Sequence, residues 1–353
     1  MLRGMDPTAF RPLGRSGLIV SPLCLGTMTF GTPRWGSSDA LSRAIFDDYV
    51  EAGGNFIDTA DVYAGGRSEE LVGAYIAERS LRDRLVLATK FTFNASPGNP
   101  NAGGNGRKNI QRALEGSLRR LRVDSVDLYW LHAWDTVTPV EEVLQSLGDL
   151  VRAGKVRYFG FSNVPAWYAT KAATLARAHA LPAPIALQLH YALTERSIER
   201  EHVPAARECG LGLTPWSPLA AGFLAGKYQR ESQGASGEGR LTGPNPFGDS
   251  LFTEHNWRVL DVLRRVAGEA GRPMAQVALA WTLAKPGVSS LILGASRREQ
   301  LQDNLASLSL RLSEEHLRAL DAVSALAPAS PYPLFETAVT RSLFGGMPVE
   351  RSH

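Results

Sequence analysis

A (β/α)8 barrel of the TIM type is the fold this sequence predicts, and three observations predict it. From Leu23 onward, short apolar runs of strand length alternate with amphipathic segments of helix length. About eight such units follow one another with no break in composition, and strands separated by helices pair in parallel. An open doubly wound sheet suits the same alternation, but its G-x-G-x-x-G turn after the first strand is missing; Gly26-Thr27-Met28 stands there.

In order, Phe10 to Gly17 is polar and turn-rich, then Leu18-Ile19-Val20 and Leu23-Cys24-Leu25-Gly26 read as short strands, the second being the first of the repeating units. Leu41, Ala44, Ile45 and Val50 recur at helical spacing until Gly53-Gly54 stops them. Phe56-Ile57 reads as a buried strand ending in Asp58, with Tyr63 on the loop beyond. Ser68 then suits an N-cap, with Glu69 and Glu70 in the first turn and Leu71, Val72, Tyr75 and Ile76 on one face. Leu85 to Ala88 is a strand ending in Thr89-Lys90, Ile110 to Leu121 a helix, and Asp127 to Leu131 a strand ending in His132. Thr138-Pro139-Val140-Glu141 has the form of a capping box with proline at the first helical position, and Gly154 stops that helix. Val156 to Phe161 leads to Ser162-Asn163, Ile185 to Leu187 leads to Gln188, and Leu211 to Thr214 leads to Trp216-Ser217-Pro218. A Gly/Ser-rich loop over 222–250 separates these from helices around 257–266 and 275–283. Its Gly222 to Lys227 is one residue too short for a phosphate loop and has Tyr228 where Ser/Thr belongs. Val288 to Leu293 is the last strand, ending in Gly294; Ser296 and Glu299 suit the cap of the helix that carries Leu301, Leu305 and Leu308.

The 353 residues are 44% hydrophobic and 21% charged, in the range of soluble globular chains, and are read as a single domain over 1–353 with a tail from 326. A formal charge of +3, evenly spread, argues for neither nucleic acid nor a membrane surface as partner. The cysteines, Cys24 and Cys209, form no disulfide framework and no metal-ligand spacing, so no metal is expected. The start lacks a signal-peptide core and no run is long enough to span a bilayer, so the expected location is the cytoplasm.

A barrel brings successive strand ends to one mouth. Alone, Lys90 reads as a surface lysine, His132 as a structural histidine, and Asp58 and Tyr63 as turn residues. Together, at matching places on adjacent units, they make a proton-handling site. An ammonium stabilises a phenolate and lowers the tyrosine's pKa, a carboxylate keeps the ammonium charged, and an imidazole donates to a carbonyl oxygen.

Those residues stand in motifs: Asn55-Phe56-Ile57-Asp58-Thr59-Ala60 with Tyr63, Ala88-Thr89-Lys90, Leu131-His132, Gly160-Phe161-Ser162-Asn163, Trp216-Ser217-Pro218-Leu219, and Gly294-Ala295-Ser296 with Asn304. With them the chain resembles the aldo-keto reductase superfamily over nearly its whole length, and most the branch of aryl-alcohol dehydrogenases and potassium-channel β-subunits. The resemblance implies a (β/α)8 barrel with an N-terminal hairpin, extra helices in the C-terminal part, and the catalytic tetrad Asp58, Tyr63, Lys90 and His132. It implies NADPH-dependent reduction of a small-molecule aldehyde or ketone, with Tyr63 as general acid. Ser162, Asn163 and Gln188 would hold the nicotinamide carboxamide and Trp216 would stack on its ring. Gly26, Thr27 and Met28 would line the cofactor at the first strand end, and Ser217, Pro218, Leu219 and Gly222 would contact the pyrophosphate. Lys227 and Arg240 would neutralise phosphates, while Gly294, Ser296, Arg297, Gln300, Asp303 and Asn304 would hold the adenosine end, with Arg298 beside Arg297. Phe30, Phe91 and Trp134 are the expected substrate-pocket residues. The alternative from another functional class is a redox-sensing, nicotinamide-binding regulatory subunit with slow turnover. The physiological substrate and the oligomeric state are not readable from the residues.

Overall fold

The computed structural model describes residues 9–33, 35–228, 230, 241, 251–335, 337–347 and 349. Strands β1 (Arg11–Pro12) and β2 (Ile19–Val20) form an antiparallel hairpin. The other eight are β3 (Leu23–Gly26), β4 (Phe56–Asp58), β5 (Val86–Phe91), β6 (Val126–Leu131), β7 (Val156–Ser162), β8 (Ala186–Gln188), β9 (Gly212–Leu213) and β10 (Leu291–Leu293). They run parallel in the order β10-β3-β4-β5-β6-β7-β8-β9. The ring closes where Leu213 N–H donates to Gly287 O and Ser289 N–H to Leu213 O, both at 2.9 Å. Val288 therefore touches β9 by a single bridge instead of opening a longer last strand.

Helices α1 (Asp39–Glu51), α2 (Arg67–Glu78), α3 (Arg107–Leu121), α4 (Val140–Arg152), α5 (Ala166–Ala178) and α6 (His202–Cys209) alternate with the strands. Helices α7 (Glu254–Ala270) and α8 (Met274–Leu283) both fall between β9 and β10; α9 (Arg298–Leu305), α10 (Glu314–Val323) and α11 (Thr337–Leu343) follow β10. Among the described residues, no helix is long and apolar enough to cross a membrane.

The period of two along each strand sorts side chains into two cores. One lies inside the barrel and contains Cys24, Phe56, Val86, Ala88, Leu128, Trp130 and Ala186, with Leu13 and Val20 of the hairpin region closing its floor. Gly160 faces Trp130 there, and a Cβ on it would enter the indole ring, so only glycine fits. The larger core lies between strands and helices and takes the residues of opposite parity, among them Ile57, Leu87, Phe91, Tyr129, Leu131, Phe159 and Leu187. Tyr49 of α1 ties this layer to the sheet: its hydroxyl donates to Leu23 O at 2.7 Å and accepts from the Phe56 N–H at 3.1 Å.

Three helix starts differ from the sequence expectation. Gly66, at φ +97°, is the N-cap of α2, while Ser68 lies one turn position inside and donates its Oγ to Thr27 O at 2.8 Å. Pro139 is the N-cap of α4, not its first residue; Thr138 turns its hydroxyl to Asp135 Oδ2 at 2.6 Å. Arg297 is the N-cap of α9, and Ser296 pairs with Gln300 Oε1 instead. For Ser68 and Thr138 a tertiary or loop acceptor captures the hydroxyl, while Ser296 turns to a side chain of α9 itself.

Candidate active site

The same parity that builds the inner core sends Asp58, Lys90, Ser162 and Gln188 inward from the upper ends of β4, β5, β7 and β8. Lys90 is fully buried. Its ammonium donates to Asp58 Oδ2, to the carbonyl of Thr59 at 2.8 Å and to the Tyr63 hydroxyl at 3.2 Å. Burial alone would lower the lysine's pKa, but Asp58 first and Tyr63 next outweigh it, and the net shift is upward. The other Asp58 oxygen accepts from Gln188 Nε2 at 3.0 Å. The lysine is therefore held charged, and Tyr63, half-buried at the mouth, is the one member of the group placed between the ion pair and solvent.

His132 follows β6. Its ring meets Tyr63 edge-on, centroids 6.0 Å apart, and Phe93 at 4.9 Å. Its Nδ1 is buried without a hydrogen-bond partner. Burial, then the positive Lys90, hold its pKa well below the ordinary histidine value, so the imidazole is neutral through the physiological range. With its proton on Nε2 it leaves the partnerless Nδ1 a bare acceptor and keeps one donor.

Asn163, left-handed at φ +50°, joins three groups. Its Nδ2 donates to His132 O and to Ser162 Oγ, both at 2.9 Å, and its Oδ1 accepts from Trp216 Nε1 at 3.1 Å. Trp216 in turn lies on His190, centroids 4.5 Å apart and planes 16° apart. Next to Asn163, Trp134 packs edge-on against Trp167, centroids 5.5 Å apart, at the start of α5.

Comparison of the sequence with known proteins places the chain in a family. The sequence profile described as the aldo/keto reductase family matches residues 22–325. The chain belongs to the aldo/keto reductase family. A norsolorinic acid reductase of Aspergillus flavus is 36% identical over 332 residues, covering 91% of this chain and 82% of that protein. An uncharacterised oxidoreductase of Bacillus subtilis is 37% identical over 319 residues, 88% of this chain and 94% of its own length. An NADP(+) aryl-alcohol dehydrogenase of Phanerodontia chrysosporium is 34% identical over 334 residues, 90% and 86%. Members of the family work with nicotinamide cofactors and as oxidoreductases.

In this aldo/keto reductase the residues expected around the cofactor fall into two groups. Gln188 bonds Asp58 directly, while Ser162 and Trp216 are both bonded to Asn163. Ser217, at φ +50°, and Gly222, at φ +94°, turn the chain past Pro218 and Leu219 toward Lys227, whose aliphatic stem lies near Gly222. Burial and the neighbouring Arg297 lower the Lys227 pKa. Among the described residues, no carboxylate pairs with either cation. A Cβ on Gly294 would meet only Thr29 Cγ2, at 3.9 Å, and Gln300 uses its Oε1 on Ser296. Thr27 is buried and donates both N–H and hydroxyl to Asp58 O, behind Gly26 and the half-buried Met28. Asn304 is buried while Asp303 is exposed. Arg240 lies outside the described residues.

Three expectations are corrected by the packing. Phe91 has the parity opposite to Lys90 and is buried against Tyr129, ring centroids 4.8 Å apart, on the helix side of β5. Phe30 is equally buried, edge-on to Tyr75 at 6.5 Å. Neither lines the mouth. Arg298 does not face the cofactor side alone: it makes a two-point pair with Asp48 of α1, at 2.5 and 2.7 Å. Phe93, Trp167 and His190 were not anticipated. His190 was within reach, because it lies two past Gln188 and so shares its inward parity; Phe93 and Trp167 sit in loop and helix-start positions that strand periodicity does not order.

Proposed function

We propose that the protein is a cytoplasmic, single-domain NADPH-dependent reductase that converts an aromatic aldehyde or ketone to its alcohol. The observation that carries this reading is the 3.2 Å contact between the buried Lys90 ammonium and the Tyr63 hydroxyl, with Asp58 behind the lysine. A bound reduced nicotinamide supplies the hydride. The residues supply the rest: neutral His132 donates to the carbonyl oxygen and orients it, Tyr63 gives its proton to that oxygen, and Lys90 stabilises the phenolate left behind. Asp58 keeps Lys90 charged and in place. Phe93, Trp134 and Trp167 give the rim an aromatic surface suited to a planar ring, in keeping with the aryl alcohol in the fungal relative's name. The two thiols, both free, suit a reducing compartment. A panel of aromatic and aliphatic aldehydes, followed by NADPH absorbance, tests the proposal. Tight NADPH binding without turnover on any of them would instead favour a redox-sensing subunit.

The choice of NADPH over NADH rests on Arg297 and Lys227. A charge-assisted hydrogen bond from Arg297 to a 2′-phosphate is worth about 1.5–3 kcal/mol. Arg297→Ala is therefore expected to lower kcat/KM for NADPH by roughly ten- to a hundredfold and to leave that for NADH unchanged. Arg298→Ala, which only frees Asp48, is expected to preserve the preference. A wild type that prefers NADH would refute the assignment.

Trp216→Ala tests the other end. Loss of one stacking partner, about 0.5–1.5 kcal/mol, is expected to weaken NADPH binding several-fold while adenosine 2′,5′-bisphosphate binds as before. Equal losses for both ligands would move Trp216 away from the nicotinamide.

A further inference from the structure

The turn that carries Tyr63 holds a second acid to which the reaction above gives no role. Asp61 lies between Asp58 and Tyr63 in the chain, is 8% exposed, and has its Oδ1 buried with no hydrogen-bond partner. Its backbone N–H donates to Lys90 O at 3.2 Å, and the Tyr63 N–H donates to Ala60 O at 3.2 Å. The turn is thus stitched to the strand of the catalytic lysine on one side and closed beneath Tyr63 on the other.

The surroundings of Asp61 disfavour its charge. Glu69 of α2 is fully buried and accepts from Thr89 Oγ1 at 2.5 Å and from Arg120 Nε at 2.6 Å. The charged and titratable groups facing Asp61 are Glu69 from α2, Arg120 and Arg112 from α3, and the buried Tyr129 from β6; from β5 Lys90 meets it with a carbonyl. Arg120 is already bonded to Glu69, and Arg112 to Asn109 Oδ1 and Ala102 O at 2.6 and 2.9 Å. Neither arginine makes a direct contact that would satisfy a second carboxylate.

We propose that Asp61 is a positioning residue whose proton gates the reaction: neutral, it stays buried and holds the 60–63 turn against β5; ionised, it loosens that turn and moves the Tyr63 hydroxyl from Lys90. This rests on the reading of Tyr63 as the general acid. A carboxylate with one buried oxygen left bare, its other support being the neighbouring Val62 N–H, is relieved beside a second buried carboxylate by moving toward water. The chain offers the means, since Val62 next to it is exposed and Ala64, Gly65 and Gly66 all have positive φ, a short run that absorbs a change of direction. Burial first, and Glu69 next, hold the Asp61 carboxyl up to about 7, with Arg120, Arg112 and the Val62 N–H opposing, so the gate falls within the working range of pH.

The test is the pH profile of kcat for wild type and Asp61→Asn, measured with saturating NADPH and an aromatic aldehyde. Wild-type kcat is expected to fall as pH rises through about 7, by up to about tenfold per pH unit for one proton. Asp61→Asn, neutral throughout, is expected to lose that limb with KM for NADPH unchanged; a retained limb overturns the proposal. Glu69→Gln removes the repelling charge and is expected to move the limb to lower pH. Hydrogen exchange of the wild-type holoenzyme supplies a readout without a variant and without turnover. After correction for intrinsic rates, amides of 60–66 are expected to lose protection across the same midpoint, and constant protection there also overturns it. Should Tyr63→Phe retain turnover, the assignment of Tyr63 would fall while the exchange result still reports on the turn.

Discussion

Tyr63→Phe is expected to lower carbonyl reduction by roughly 10²–10⁴-fold, the range for loss of a positioned general acid, while NADPH binding stays nearly intact. The structure separates those two effects. The hydroxyl that is removed contacts Lys90 Nζ, and without it the ammonium still has Asp58 and the carbonyl of Thr59 at 2.8 Å. No charge is left unpaired, so the fold has no reason to change. The measurement is kcat with an aromatic aldehyde alongside a fluorescence titration with NADPH. Turnover close to wild type would show that another group protonates the alkoxide.

Lys90→Met is expected to cost stability as well as activity, by about 3–5 kcal/mol, the usual penalty for removing one partner of a buried pair. Asp58 and Lys90 have side-chain exposures of 2% and 0%, so the abandoned carboxylate has little water to turn to and, among the described residues, keeps the Gln188 donor at 3.0 Å. The double replacement Asp58→Asn with Lys90→Met removes both charges and is expected to recover most of that loss, because a buried pair is worth little more than a neutral replacement. Urea unfolding of the two single variants and the double variant closes the cycle. A loss below about 1 kcal/mol for Lys90→Met, as for exposed pairs, would contradict the burial argument. The pH dependence has a definite sign. The Lys90 pKa is raised in the fold, so its stabilising contribution is complete below the ordinary lysine value and is lost only as pH rises through the folded one. Between pH 6 and 9 the pair should therefore contribute a constant amount.

Local pattern determined most of the architecture. Alternation of strand and helix lengths, free of interruptions, leaves few arrangements other than a closed parallel barrel, and eight strands do close, through Leu213 and Val288. Strand ends alone group Asp58, Lys90 and His132 with Tyr63 just beyond, whereas Ser162 and Gln188 came from the family resemblance; the period of two decides which side of the barrel wall each strand residue faces. That rule, had it been applied, would exclude Phe91 from the pocket, since a residue adjacent to an inward lysine must point outward.

What the chain could not show by itself depends on partners far away in sequence. Arg298 looked equivalent to Arg297 at a helix start, yet Asp48, 250 positions earlier, holds one and not the other. Ser68 had the local makings of a cap, but Thr27, 41 positions away, takes its hydroxyl. Phe93, Trp167 and Trp134 come from separate loops and a helix start, where no periodicity orients side chains; only closure of the barrel places them around His132 and Asn163. Asp61 shows the limit most sharply. In sequence it is one more polar residue in a turn, and its bare, buried Oδ1 appears only when α2 and α3 pack behind β5 and bring Glu69, Arg112 and Arg120 around it. Strand and helix direction follow from short-range sterics and hydrophobic period, whereas the charge state of a buried group is set by everything within a few ångströms, wherever in the chain it comes from.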